Sequence, residues 1–148
     1  MTDEFSRQLT IMTFENTRLA VPLSDVISIE GTVDVQPLPS DSTALGQLHY
    51  RGYHYPVYGL SSGFDKLSDI PEPSTVCVCL GADESSTRLA ILCESVESIN
   101  LDHSVVPQML PDCMQATGSP LRALFQYNNQ LVLVSKTDVL ANYLTGKE

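Results

Sequence analysis

Arg18-Leu-Ala-Val-Pro-Leu-Ser-Asp-Val-Ile-Ser-Ile29 and Arg88-Leu-Ala-Ile-Leu-Cys-Glu-Ser-Val-Glu-Ser-Ile99 align without a gap, with Arg, Leu, Ala, Val, Ser and Ile in register. In both halves the segment follows a hairpin pattern and is followed, after a connection of variable length, by a second one. An internal repeat of this kind implies two similar small sheets. A small open sheet leaves unpaired edges, and closure into a barrel or packing against a twin hides them.

Outward from the repeat, short apolar runs rich in Val, Ile, Leu and Tyr recur between Gly, Pro, Asn and Ser, the pattern of many short strands. Hairpins are expected at Leu9–Phe14 with Arg18–Val21 around Glu15-Asn16-Thr17, and at Gln47–Tyr50 with Tyr55–Tyr58 around Arg51-Gly52-Tyr53-His54. Two more are expected at Thr75–Leu80 with Arg88–Cys93, and at Leu121–Tyr127 with Gln130–Val134, turning at Asn128-Asn129. Val76 to Leu80 is apolar at every position, so this strand is expected to be central and buried on both faces. Gly63 to Ser74 and Pro107 to Pro120, each punctuated by proline, read as loops. A single helix is expected at the end, capped by Ser135, with Asp138 in its first turn and Val139, Leu140, Tyr143 and Leu144 as its apolar face. The fold class expected is therefore all-β, two similar small barrels with a short C-terminal helix.

The chain has 148 residues, enough for one domain or two subdomains sharing a core, and carries a net charge of −10. That charge opposes docking to nucleic acid or anionic lipid, so the expected partners are proteins or small molecules. Charged residues make up 18% of the chain, which leaves much of the surface neutral and suited to protein contacts. The first residues carry no basic and apolar signal pattern and no apolar run is long enough for a membrane span, so a cytoplasmic location is expected. In that compartment Cys77, Cys79, Cys93 and Cys113 stay reduced.

Gly46-Gln-Leu-His-Tyr-Arg-Gly-Tyr-His-Tyr-Pro-Val-Tyr-Gly-Leu60 resembles the central signature of the CheW family, Gly-x-x-Asn-Leu-Arg-Gly followed by a Pro-Val-x-Asp-Leu strand. Gly46, Arg51, Gly52, Pro56, Val57 and Leu60 match, and the similarity extends through Leu9–Phe14, Leu19–Val26, Arg88–Ile99 and Leu121–Leu140. The resemblance implies two interleaved, five-stranded SH3-like barrels: a tail over 1–8, then one domain over 9–148, with subdomains at about 18–75 and 76–134 that exchange strands at their ends. It further implies a non-enzymatic adaptor that uses no cofactor or metal. One surface would dock on the regulatory domain of a CheA-type histidine kinase, and a groove between the barrels would receive the cytoplasmic tip of a chemoreceptor. A generic double-barrel module for some other peptide or protein is the alternative. The residues implied in partner binding are Arg51, Gly46, Gly52, Val26, Gly31, Tyr50 and Tyr53. His49-Tyr50, Gly59 and Ser28 depart from the family pattern, which suggests an auxiliary or pathway-specific adaptor, such as one serving surface motility.

The same residues have plainer readings. Gly46 and Gly52 permit tight turns, Pro56 suits an edge or bulge, and Val26 is as well suited to a core. Arg51 is the only Lys or Arg between Arg18 and Lys66, among Asp25, Glu30, Asp34, Asp41 and Asp65, and could pin its own turn by pairing with one of them. His49 and His54 flank it with Tyr50, Tyr53, Tyr55 and Tyr58 interleaved, an ordinary strand pair or a contact patch. Gly59-Leu-Ser-Ser-Gly63 matches a nucleophile elbow, with Asp83 and His103 following in hydrolase order, but no long helix can follow Ser61 before Pro71. Cys77 and Cys79 share a strand face and Cys93 could join them, yet the spacing is not that of a zinc site and the histidines fall on other segments.

Overall fold

The computed structural model describes residues 7–36, 44–61, 66–67, 69–71, 74–81, 87–102, 105, 107–109 and 121–145. Eleven strands occur among them: β1 (Gln8–Phe14), β2 (Thr17–Pro22), β3 (Val26–Gly31), β4 (Gly46–Tyr50), β5 (Tyr53–Tyr58), β6 (Val76–Gly81), β7 (Arg88–Cys93), β8 (Ser95–Asn100), β9 (Gln108–Met109), β10 (Ala123–Tyr127) and β11 (Gln130–Val134). Helix α1 (Thr137–Thr145) closes the chain. One sheet has the order β8-β1-β2-β11-β10-β9 and the other β3-β6-β7-β5-β4.

The repeat is visible in these orders. β1-β2-β3 matches β6-β7-β8, and β4-β5 matches β10-β11, but the first two strands of each repeat fold with the later strands of the other: β6 pairs with β3, and β1 with β8. The join is equivalent in both, a parallel pairing of Ala20 with Val134 in one sheet and of Ala90 with Val57 in the other. This corrects the division at about residue 75, because β6 and β7 belong with β3, β4 and β5, while β1, β2 and β8 to β11 form the other sheet. Each repeat thus exchanges its first hairpin for the other's, so its third strand pairs across the exchange.

Both sheets close in the same way. The segment after each third strand returns to the far edge: Gln36 exchanges two backbone hydrogen bonds with Gln47 of β4, at 2.9 and 2.8 Å. In the other sheet Gln108 faces Leu124 and Met109 faces Ala123 of β10. The two-residue β9 lies within the stretch expected as loop from Pro107 to Pro120; 110–120 lie outside the described residues. Both sheets therefore become barrels with no long free edge between their first and last strands.

Three apolar clusters fill this architecture. Leu9, Ile11, Ala20, Phe125 and Val132 line one barrel, and Leu48, Tyr55, Val57, Cys77, Cys79 and Leu92 line the other. Between them Met12, Phe14, Leu19 and Val21 meet Val78, Leu80, Leu89 and Ile91, with Leu140 and Leu144 of α1 inserted. β6 supplies the barrel interior with alternate residues and the inter-barrel core with the others, so it is buried on both faces as its composition predicts. Each buried aliphatic side chain contributes roughly 1.5–3 kcal/mol, which makes the inter-barrel cluster the main tie between the halves.

The helix is also fixed by contacts that local sequence does not announce. Its first turn is held by Asp25, 112 residues away in sequence, whose carboxylate accepts from the Thr137 hydroxyl at 2.8 Å and from the Thr137 N–H at 3.4 Å. At the other end Lys66 donates to the Leu144 carbonyl at 3.0 Å. A carboxylate at the N-terminus and an ammonium at the C-terminus both complement the helix dipole. The expected tail also ends earlier, since Arg7 donates to the carbonyls of Asp102 and Val105 and β1 begins at Gln8.

Candidate functional site

The β4–β5 hairpin is longer and its turn tighter than the sequence suggests. Tyr53 and His54 belong to β5, leaving Arg51-Gly52 as a two-residue turn with φ of 50° and 83°. Positive φ at both central residues is the type I′ requirement, which matches the twist of the flanking strands. Gly52 adopts it freely. Arg51 adopts it against the clash of its Cβ with the neighbouring carbonyl.

No acid among the described residues pairs with Arg51, so the side chain does not pin its own turn there; Asp41 and Asp65 lie outside the described residues. Its guanidinium lies 5.3 Å above the ring of Tyr50 and is otherwise exposed. Across the turn the half-exposed Tyr53 carries the guanidinium of Arg88 at 3.8 Å over its ring. Arg88 also hydrogen-bonds the Tyr55 hydroxyl; burial raises the Tyr55 pKa, and that bond opposes the rise. Two arginines thus sit on two tyrosines at one end of the barrel. Tyr55 and Tyr58 are buried, so of the four tyrosines only Tyr50 and Tyr53 can serve a contact patch.

Gly46 is placed by the fold rather than by a surface. It lies at the barrel seam, where a Cβ would stand 2.5 Å from the Val35 side chain and 2.6 Å from the Gln36 carbonyl oxygen. Val26 packs against the inter-barrel core, and Gly31 ends β3. The outward residues of β3 are ones the sequence reading passed over. A bulge between Val26 and Ser28 leaves Ile27 41% and Ile29 51% exposed, and Val33, just beyond the strand, is 92% exposed. Val26-Ile27-Ser28-Ile29 alternates as a half-buried strand does, with both isoleucines on the outward face. Arg88 was legible only as a repeat residue.

Between the β1–β2 turn and the chain following β5 lies a cavity of about 280 Å³, lined by Phe14, Leu60, Leu67, Pro71 and Leu92 with Glu15 and Glu94. Glu94 accepts the Glu15 N–H at 2.9 Å.

Residues 8–143 match the family model of the CheW-like domain. The chain belongs to the CheW-like family. The crystal structure of the scaffolding protein TtCheW from Thermoanaerobacter tengcongensis is similar in fold, with a TM-score of 0.68 at 14% identity over 89% of this chain and 90% of that one. No curated protein sequence matches. For a CheW-like domain the Arg51 hairpin falls on the family signature, and the double barrel is the expected architecture.

The other chemistry weighed from sequence is placed as follows. Ser61 follows the isolated Leu60–Lys66 bridge at the end of β5; Gly63, Asp83 and His103 lie outside the described residues. Cys93 faces Val76 and lies in the inter-barrel core, whereas Cys77 and Cys79 face the barrel interior, so the three sulfurs do not converge. Burial pushes each of these thiols up to about 12, with Asp34 and Glu30 adding to the rise at Cys77 and Glu30 at Cys79. They are inert small apolar side chains.

Proposed function

We propose that this chain is a non-enzymatic, cytoplasmic scaffold that couples chemoreceptors to a CheA-type histidine kinase, in chemotaxis or a related system such as surface motility. The observation that carries the reading is Arg51: a cation at a hairpin tip, in a backbone conformation unfavourable to it, with no carboxylate partner among the described residues. Strain held with only the Tyr50 ring beneath the guanidinium among the described residues supports a contact outside the chain. Membership in the CheW-like family and the scaffolding role of TtCheW support the same reading. No helix among the described residues is long and apolar enough to cross a membrane.

In this reading Ile27, Ile29 and Val33 give an apolar anchor for the kinase regulatory domain, Arg51 with Tyr50 and Tyr53 sets register, and the inter-barrel cleft meets the receptor tip. A few buried apolar anchors carry the affinity, and the charge sets orientation. The test is binding of the purified chain to the regulatory domain of a CheA-type kinase and to a receptor-tip fragment. Arg51→Glu and Ile29→Asp are each expected to weaken at least one of these complexes tenfold or more, about 1.4 kcal/mol, with unchanged circular dichroism. Wild-type affinity in both variants overturns the assignment of these surfaces. Failure of the wild-type chain to bind the kinase of its own pathway leaves the generic peptide-binding module as the better description.

A further inference from the structure

Gln47 directs both its N–H and its C=O to Gln36, away from β5. Because backbone groups alternate along an antiparallel strand, Gln47–Pro56 and His49–His54 are the non-hydrogen-bonded pairs of the β4–β5 ladder. Pro56, which has no N–H to donate, fits that position. Non-hydrogen-bonded pairs bring opposed side chains closest, and the imidazoles of His49 and His54 meet with ring centres 4.0 Å apart at 63°. Both are exposed. The Gln47 amide oxygen lies 3.2 Å from His54 Nδ1 and accepts its N–H, which turns the ring and leaves the Nε2 lone pair free.

We propose that His49 and His54 form a two-imidazole site for a late first-row divalent metal ion, of the class of nickel, copper or zinc, whose remaining positions are filled by water. Metal–nitrogen bonds of about 2.0–2.1 Å place two nitrogens on a tetrahedral ion about 3.4 Å apart. Two imidazoles on one such ion have ring centres about 5 Å apart, so the exposed rings, which stand 4.0 Å apart, swing outward by rotation about their side-chain bonds to admit it. Imidazole is the ligand that copper, nickel and zinc share. Arg51 does not oppose the ion directly, because its guanidinium lies over Tyr50, which packs on the barrel-interior cluster, while the histidines stand on the outer face. The net charge of −10 favours cations near the surface. The histidines looked separate in sequence, five residues apart across a turn; the strand register makes them neighbours. An ion here ties β4 to β5 one residue pair behind the turn that carries Arg51.

Titration of the purified, tag-free chain with nickel or copper chloride tests the site, read by tyrosine emission and by the thermal midpoint, with magnesium chloride as the hard-ion control. Saturable one-to-one binding of nickel or copper is expected, reversed by excess chelator and absent with magnesium. His49→Gln and His54→Gln each weaken it at least tenfold, and His103→Gln leaves it unchanged. In the wild-type chain copper broadens the His49 and His54 proton resonances first, a readout independent of any variant. Absence of saturable binding, binding equal in the two glutamine variants and wild type, or loss of binding in His103→Gln overturns the proposal.

Discussion

The β4–β5 and β10–β11 hairpins hold matching places in the two barrels and reverse the chain through the same backbone, yet their turns are built from different residues. Arg51 and Gly52 have φ of 50° and 83°; Asn128 and Asn129 have 51° and 63°. Asparagine tolerates the left-handed region because its short amide can bond locally, and arginine does not. One turn is made of residues that suit it. The other keeps a residue that strains it and displays a charge, and it is on this difference that the proposed partner role of Arg51 rests.

The same contrast recurs at the seams. Gly46 and Ala123 are equivalent, opposite Val57 and Val134, but a Cβ at Gly46 would stand 2.5 Å from the Val35 side chain and 2.6 Å from the Gln36 carbonyl oxygen, where the other barrel accommodates an alanine. Gly46→Ala is expected to lower the unfolding free energy by about 2–3 kcal/mol, the cost of overpacking against backbone that cannot withdraw without breaking the Gln36–Gln47 bonds. Ala123→Gly is expected to lower it by only about 0.5–1 kcal/mol, from chain entropy. Urea unfolding of both variants checks the pair. Equal effects would mean that the two barrels close alike and that Gly46 has no structural necessity.

A second contrast is chemical. Cys77 and Cys79 occupy in one barrel the places that Leu9 and Ile11 occupy in the other, and all four are fully buried. Thiols at about 12 in the folded chain, against 9 ordinarily, stay neutral where an unfolded chain ionises. The unfolded state therefore binds fewer protons between these values, and stability is full below about pH 9 and falls as pH rises towards 12. Tyr55, also raised by burial, acts in the same direction. Cys77→Ala/Cys79→Ala is expected to flatten the alkaline limb of a stability profile while lowering its plateau through lost packing. An unchanged alkaline slope in that variant would remove the thiols from the account.

Much of this was legible in the sequence because the repeat copies local chemistry. Arg18-Leu-Ala and Arg88-Leu-Ala recur because both strands must join a parallel neighbour while packing on the same inter-barrel core. Asn128-Asn129 announced its turn, and the apolar Val76 to Leu80 its doubly buried strand. The exchange of the β1–β2 and β6–β7 hairpins was hidden because a strand's own residues do not name the strand it pairs with. Asp25 reads as an ordinary loop acid until Thr137 is folded beside it. Ile27 and Ile29 alternate with Val26 and Ser28 along β3, and the strand's own residues do not say which of these two faces meets the core.

The smallest expected effect bears most directly on the opening contrast. Arg51→Asn gives the first turn the chemistry of the second, and relief of left-handed strain is expected to raise the unfolding free energy by about 1 kcal/mol. Asn128→Arg is expected to lower it by a similar amount, with no effect on kinase or receptor binding. If Arg51 is held for a partner, the stabilised Arg51→Asn chain binds more weakly, so stability and assembly move in opposite directions at one residue. A variant that is both more stable and fully competent would show that the arginine serves neither, and the hairpin would then carry no more function than its twin.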